Sequence, residues 1–589
     1  MKNKKHKYLM PFALAAGLIA ILILITGLYH KQTPTQDSQI ATAYRTASDD
    51  LKQAILSEIS QDAYNILKNN QCAVFLSYSN GNYLPTVRHA VGKNISNAWD
   101  DIDNQIEQAI QDSEFQVKYL KCDIVSETNE TSFEQLREEI ANNYSGRCHY
   151  GIAFDKKFDI ALLEQECNHY RIFDKSTNNV LLSKTNAYLA AQTGQELESM
   201  PSNITTFKCE SWLYEIESGE ITKLSSQDAN YGIRDFELNK NNLATIIATS
   251  GYYLRNNIDE YGKFVYAFWP QDRDSATNYS TVRHIDALLA LEQYYELTSD
   301  SLTQDAIRRG IEFLFDYILK FDNASYVRCT DEDESPDEIR MGGAGLLLTV
   351  LSEYERLFGD NRYQDLLNSI ANGIIKQTQP NGHTTHVLNL DLTTKRDYWT
   401  EYYDGEIIIG LCNAYNITGN QDYLDTAMRI TEYCLNNNYA TTGDHWFVNA
   451  TNELTKILPN EVKYYHAGLL AVARQAETIN QSTEDPTKLE QLMGAFEIYN
   501  RAIENHIAIP DEFDITLVLS QIQTQSESLL NNYMFPEKAM YSPCISDIIG
   551  AFYTEEYDGW KIRIDMIQHH LSGYYKLYCN YELIQKLCT

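Results

Sequence analysis

The feature that most constrains this chain is an internal repeat in its second half. The segments RHIDALLALEQYYELTSD (283–300), GGAGLLLTVLSEYERLFGD (342–360), DGEIIIGLCNAYNITGN (404–420) and YHAGLLAVARQAETINQ (465–481) share one plan. Each begins with small or polar residues, runs through a largely apolar helix and stops at a polar turn. The first three are followed by an amphipathic partner: LTQDAIRRGIEFLFDYIL, NRYQDLLNSIANGII and QDYLDTAMRITEYCL. Anchored on His284, Gly343, Gly405 and Ala467, the copies lie 59, 62 and 62 residues apart. A period near sixty that holds an apolar inner and an amphipathic outer helix is a repeat of helical hairpins. A further copy is read at 563–584, IATSGYYLRNN (247–257) supplies the opening element, and 514–532 fills the remaining gap. Six hairpins over 236–589 can close on themselves, which buries the apolar ends an open solenoid would have to cap. Tetratricopeptide-type solenoids have repeats about half this length.

The first half follows other rules. From Tyr8 to Tyr29 the chain reads YLMPFALAAGLIAILILITGLY, 22 uncharged residues, enough for a transmembrane helix. Lys2, Lys4, Lys5 and Lys7 precede it and only Lys31 follows closely. This asymmetry predicts a cytoplasmic N-terminus and a bulk that is extracytoplasmic, periplasmic or at the cell surface. The run is longer than a signal-peptide core and no clear small-x-small site follows it, which favours an uncleaved anchor over a cleaved signal peptide. Residues 1–40 are thus cytoplasmic tip, anchor and linker. A helical pattern spans 41–68, and CAVFLSYS (72–79), VKYLKCDIV (117–125), GIAFD (151–155) and TTFKCESWLYEI (205–216) read as strands. Residues 41–230 therefore form a small mixed α/β or α+β domain, with no phosphate loop, nucleophile elbow or metal-ligand spacing.

The net charge is −33, and residues 1–34 contribute five lysines and no acids, leaving the rest at −38. A body so acidic repels phosphate backbones and excludes nucleic acid as a partner class. It also disfavours polyanions unless the cleft is locally basic. The 11 cysteines are odd in number and show no C-x-x-C or Cys/His zinc spacing. Outside the cytoplasm some would form disulfides, with at least one left free or paired between chains, and no metal or other cofactor is implied.

Residues 236–589 resemble the (α/α)6 toroids of the six-hairpin glycosidase-like superfamily. The resemblance is carried by YGKFVYAFWPQ…NYSTVRHIDALLALEQYYELTSD, MGGAGLLLTVLSEYERLFGDNRYQDLL and YYDGEIIIGLCNAYNITGNQDYLDTA, and covers about 60% of the chain. It implies a mostly α fold and a polysaccharide or oligosaccharide partner. The superfamily holds glycoside hydrolases, polysaccharide lyases and sugar epimerases, which share a fold and not a mechanism. Lanthionine synthetase-like toroids also have Gly-rich inner helices, but they hold zinc with Cys and His, and no such set can be placed here.

In such a toroid the ligand site lies where the inner helices begin. The polar residues there are Arg283, His284 and Asp286; Glu338 and Arg340; Glu401, Asp404 and Glu406; Glu461, Lys463 and His466; and Arg563, Asp565, Gln568 and His569. An acid at a helix start is favoured by the dipole and the free N–H groups. A cation there is electrostatically misplaced, so Arg283, Arg340 and Arg563 point to acidic neighbours or an anionic ligand. Glycoside hydrolysis needs one protonated and one ionised carboxyl, which Glu338, Glu401, Asp404, Glu406 or Asp565 would supply. A lyase or epimerase acting on a uronate would use His284, His466 or His569 as base, with arginine balancing the charge. Trp269 and Trp399, in connecting segments, suit stacking on a sugar face. The expected function is hydrolysis of a polysaccharide in the toroid funnel. The alternatives are a uronate lyase or epimerase, and a non-catalytic glycan-binding factor with envelope assembly partners.

Overall fold

The computed structural model describes residues 37–588 except 112–115, 143–147, 149, 169–171, 173–180, 228–230, 331–336, 397–398, 440–443, 483 and 556–559. The apolar run Tyr8–Tyr29 lies outside the described residues, and no described helix is long and apolar enough to cross a membrane.

The first domain contains α1 (Asp37–Glu58), β1 (Cys72–Ser79), β2 (Thr86–Gly92), α2 (Ile95–Gln111), β3 (Tyr119–Ser132), α3 (Phe133–Asn142), β4 (Gly151–Ala153), β5 (Ala161–Leu162), α4 (Leu182–Thr193), β6 (Asn203–Glu215) and β7 (Glu220–Lys223). The strands form one sheet in the order β2-β1-β3-β6-β4-β5, with β7 also on β6. Every pairing in it is antiparallel. Of the two expected arrangements, α/β and α+β, this is α+β, because among the described residues no helix crosses over between parallel neighbours. Strand β1 is buried along its whole length, CAVFLSYS, because both faces are covered. On one side Val74, Leu76, Cys122, Ile124 and Trp212 pack against Leu51 and Ile55 of α1 and Trp99 and Ile102 of α2. On the other, Phe75, Val125, Phe207 and Leu213 join the core of the second domain.

The second domain is a double ring of helices. Its inner members are α6 (Thr281–Thr298), α8 (Met341–Phe358), α10 (Tyr403–Thr418), α12 (His445–Ile457), α14 (Pro486–Glu504) and α16 (Ile564–Cys588). Each packs on the next, and α16 packs back on α6, which closes the ring. Outside lie α5 (Lys240–Asn256), α7 (Ser301–Phe313), α9 (Gln364–Gln377), α11 (Gln421–Asn436), α13 (Val462–Ala473) and α15 (Ile515–Ser528). Inner helices are buried nearly all round, as in the unbroken buried run from Met341 to Ser352. Outer helices bury one stripe, for example Thr303, Ala306, Ile307, Gly310 and Ile311 on α7. Each fully buried aliphatic side chain, such as Ile285, Leu288 or Leu291, stabilises this core by about 1.5–3 kcal/mol.

The first three inner helices end alike, at Ser299, Gly359 and Gly419, in the left-handed region with φ of 55°, 63° and 69°. That shared cap turns each inner helix into its outer partner and is the physical origin of the repeat. Inner helices begin at Thr281, Met341 and Tyr403, and then at His445, Pro486 and Ile564, so the period near sixty holds for three copies and then breaks. The segment read as the fourth inner helix, YHAGLLAVA, falls on the outer helix α13. It imitates an inner helix because it is wedged between α12 and α14 and is buried on most sides.

Two small antiparallel sheets sit where the inner helices start. Strand β12 (Glu338–Arg340) runs into α8, and β16 (Lys561–Arg563) runs into α16. The first sheet has the order β10-β11-β12-β13-β14, with β10 (Ile318–Phe321), β11 (Ala324–Cys329), β13 (Val387–Leu388) and β14 (Thr394–Arg396). The second has the order β15-β16-β8-β9, with β8 (Ala267–Trp269), β9 (Asp274–Ser275) and β15 (Tyr553–Glu555). The first domain docks through the 533–552 region. Arg234 donates to both Glu537 carboxylate oxygens and to Glu215, and Ser77 hydrogen-bonds Tyr541 at 2.9 Å. All 11 cysteines are free thiols, nine of them buried.

Candidate functional site

Five of the six inner helices deliver ionisable side chains to the axis from their first turns, at the end of the ring flanked by the two small sheets. Helix α6 brings Arg283 and Asp286, α10 Glu406, α12 Asp444 and His445, α14 Glu490, and α16 Asp565 and His569. Helix α8 contributes glycine instead. A Cβ on Gly342 would stand 1.9 Å from Glu406 Oε2, so the missing side chain is the space the Glu406 carboxyl occupies. Gly345 and Gly410 allow the close approach of α8 and α10, since a Cβ on Gly410 would meet the Gly345 carbonyl at 2.2 Å.

The cluster sorts its members by charge. Asp565 is pushed up by burial, but the guanidiniums of Arg563 and Arg283 outweigh this and hold it below the ordinary carboxylate range. Arg563 grips it with Nε at 2.6 Å from Oδ1 and Nη2 at 2.9 Å from Oδ2, and Arg283 Nε lies 2.9 Å from Oδ2. Burial alone would lower His569. Glu490, accepting from His569 Nδ1 at 2.9 Å, and the nearby Asp286 and Asp565 instead raise it to about 9. Asp286 goes the other way: burial lifts it to about 7, with His569 opposing and Asp565 and Glu490 reinforcing. Glu406 is held well above the carboxylate range by burial, then by Asp286 and Asp444. Asp444 is raised by burial although it caps α12, accepting from the Trp446 and Phe447 amides at 2.8 and 3.2 Å. His445 is kept neutral by burial and by the neighbouring positive charges of His569, Lys488 and Lys576. Its ring centroid is 5.3 Å from that of His569.

Three atoms in this cluster are buried and have no hydrogen-bond partner: Asp286 Oδ1, Glu406 Oε2 and His445 Nε2. An unpaired buried polar atom costs about 1–3 kcal/mol, so three around one axis are what a ligand site, and not a finished core, leaves behind. His445, Glu490 and His569 also offer three ligand atoms within 4.8 Å of one another, enough to hold a divalent cation. His569 Nδ1 and Glu490 Oε1 share a hydrogen bond at 2.9 Å, so the same trio is also arranged for acid–base work.

The other sequence-selected residues divide clearly. Glu338 is pushed up by burial but held low by Lys395, Arg340 and Arg396, with Lys395 Nζ and Arg340 Nε both at 2.8 Å; it forms a second charged knot on the small sheet. Asp404 is spent on structure. His386 accepts the Thr400 amide at Nδ1, so its Nε2–H donates to Asp404 Oδ1 at 3.0 Å, while the Trp399 indole donates to Oδ2 at 2.9 Å. Trp399 itself stacks on Tyr439 at 4.1 Å and clamps the loop. His284 faces outward: its Nδ1 accepts from Tyr279 OH at 2.7 Å, its Nε2 donates to the Gly310 carbonyl at 2.9 Å, and burial lowers it to about 4. His466, on outer helix α13, bonds the Ala508 carbonyl at 2.9 Å. Glu401 lies at the edge of the cluster, raising Asp444, and Trp269 lies in β8 beneath Lys561. Sequence reading passed over His445, Asp444 and Glu490 because α12 and α14 had not been placed. The available signal was Asp444 as an N-cap ahead of the run HWFVNATNELTKI.

This defines the chain as an (α/α)6 toroid with an antiparallel α+β domain docked on it. No protein-family profile matches the sequence, and no curated protein matches it. Solved structures match in overall fold. A D-mannose isomerase is 14% identical with a TM-score of 0.45, over 59% of this chain and 98% of its own. Cellobiose 2-epimerase from Bacillus thermoamylovorans is 11% identical with a TM-score of 0.43, over 59% and 100%. A family 76 glycoside hydrolase (mannosidase) from Bacteroides thetaiotaomicron is 11% identical with a TM-score of 0.40, over 58% and 99%.

Proposed function

We propose that this protein is a carbohydrate-active enzyme that moves a proton at a carbon of its substrate, as an isomerase, epimerase or lyase does. The observation that carries this reading is the set of unpartnered buried atoms, Asp286 Oδ1, Glu406 Oε2 and His445 Nε2, beside the charged His569–Glu490 pair. Proton abstraction next to a carbonyl needs a base, an acid for the return, and a positive field for the oxyanion. Neutral His445 suits the base. Asp286, at about 7, suits a group that gives and takes a proton near neutrality. His569, at about 9, and Arg283 supply the positive field, and Glu406 donates to the substrate oxygen. The density of donors and acceptors, with half-exposed Tyr402 at 6.2 Å from His445, suits a hydroxylated ligand that stacks on an aromatic ring.

Hydrolysis is the second reading. It is favoured by two buried carboxyls, Asp286 and Glu406, of which Asp286 raises Glu406, so that Glu406 stays protonated as an acid while Asp286 ionises first. It ranks lower because the two carboxylates held below the ordinary range, Asp565 and Glu338, have their oxygens taken by arginine or lysine. The expectation that the run 8–29 anchors the enzyme, with the ring outside the cytoplasm, stands as part of the proposal. The test is product analysis on a panel of aldoses, ketoses and oligosaccharides. Altered sugars or unsaturated products, lost in Asp286→Asn and His445→Gln, support the reading; new reducing ends alone support hydrolysis.

A further inference from the structure

A second polar space lies further along the axis, beyond the first turns of the inner helices. It is a cavity of about 490 Å³ to which all six inner helices contribute. Trp446, Glu490 and Gln568 line the end towards the acid–base cluster, and none of Asp286, Glu406, His445 and His569 lines it. Its wall carries five carboxylic side chains, Glu292, Glu296, Glu353, Glu453 and Glu490, against three cations, Arg356, Lys456 and Lys576.

The cations are already committed. Arg356 lies 2.8 Å from Glu296 and 2.6 Å from Glu353, Lys456 pairs with Glu453, and Lys576 donates to Asn449. Glu292 is the carboxyl left over. It is 2% exposed, it lines the cavity, and neither of its oxygens has a hydrogen-bond partner. Gln568 is similar: its Nε2 donates to Ser572 at 3.2 Å, while its Oε1 is buried and unpartnered. Burial, with Glu353 and Glu296 beside it, holds Glu292 well above the ordinary carboxylate range, so a cation seated against it is what would let it ionise. Gln568 Oε1 offers a second acceptor to a ligand rich in donors. Asn413 and Asn416 on α10 add amides that hydrogen-bond hydroxyl groups.

We propose that this axial cavity is a second ligand site, sharing only the Glu490 side chain with the acid–base cluster, that takes a small polyhydroxylated primary amine of the hexosamine class. Its ammonium is held by Glu292 and its hydroxyls by Gln568 and the α10 amides. The site does not depend on the reaction assigned to the cluster.

The experiment is calorimetric titration of the folded protein with glucosamine, with glucose and N-acetylglucosamine as neutral controls, in wild type, Glu292→Gln and His445→Gln. Wild type and His445→Gln are expected to bind glucosamine alike. Glu292→Gln should bind about tenfold or more weaker, and the controls at least as weakly. A cavity-filling Asn413→Leu, checked by circular dichroism, should also abolish binding, which keeps the test informative if Glu292→Gln does not fold. No glucosamine binding to wild type overturns the proposal. So does binding that survives both cavity variants or that is lost in His445→Gln.

Discussion

Replacing Glu490 by Gln tests the electrostatics of the cluster through stability. The amide keeps the shape and can still accept from His569 Nδ1, but it removes the charge that faces the imidazolium at 2.9 Å. In the folded protein His569 is raised from 6.5 to about 9. At 1.36 kcal/mol per pH unit such a rise is worth about 3.4 kcal/mol, as an upper bound. Asp286 and Asp565 share in it, so the part owed to Glu490 is about 1–2 kcal/mol. Because the folded value is raised, this contribution is complete below the unfolded value of 6.5 and is lost as pH rises through about 9. Thermal unfolding followed from pH 6 to 9.5 should therefore show wild type losing stability over that interval. Glu490→Gln should start lower and lose less. Parallel pH curves for the two proteins would refute the assignment of His569 as a charged group held by Glu490. A His569→Gln background, in which Glu490→Gln should no longer change the slope, isolates the pair.

Three further outcomes are expected. Arg234→Ala leaves the buried Glu537 carboxylate without its main partner and should cost about 3–5 kcal/mol, read as a lower melting temperature and weaker docking of the first domain in limited proteolysis. Gly342→Ala places a Cβ where the Glu406 carboxyl lies and should cost about 1–3 kcal/mol in unfolding assays, with a larger loss of activity than Gly343→Ala, whose nearest neighbour is 3.3 Å away. With Asp286 as proton donor, activity should fall as pH rises through about 7, and in Asp286→Asn the residual rate should lose that limb of the profile.

The ring was legible because its signal is local. Apolar runs such as ALLALEQYY and GGAGLLLTVL, ended by a left-handed cap, state an inner helix whatever its partners are. The signal failed at α12, where polar Asn449, Thr451, Asn452 and Thr455 are buried and break the apolar run, and at α13, where an outer helix packed between two inner ones reads as an inner one. That single misplacement hid His445 and Glu490 and set His466 in their place. Arg283, Arg563, Asp565 and Glu406 were found because they sit at or just before the first turns, and misplaced arginines imply acidic partners. Which way a first-turn residue faces was not legible. His284 and Asp404 occupy the same kind of position as Asp286 and Glu406, yet they turn outward to Gly310 and His386. Helical phase from the axis decides this, and it depends on how each helix is rotated by its neighbours. In the first domain β2 was missed because its burial alternates weakly along TVRHAVG.

The most direct test of the central claim is proton NMR of a converted sugar recovered from D₂O. A proton taken from carbon by His445 or Asp286 exchanges with solvent, so the product should carry deuterium at the reacting carbon, and His445→Gln and Asp286→Asn should abolish the exchange. Turnover that yields product with that carbon fully protonated would contradict proton transfer at carbon as the reaction of this site.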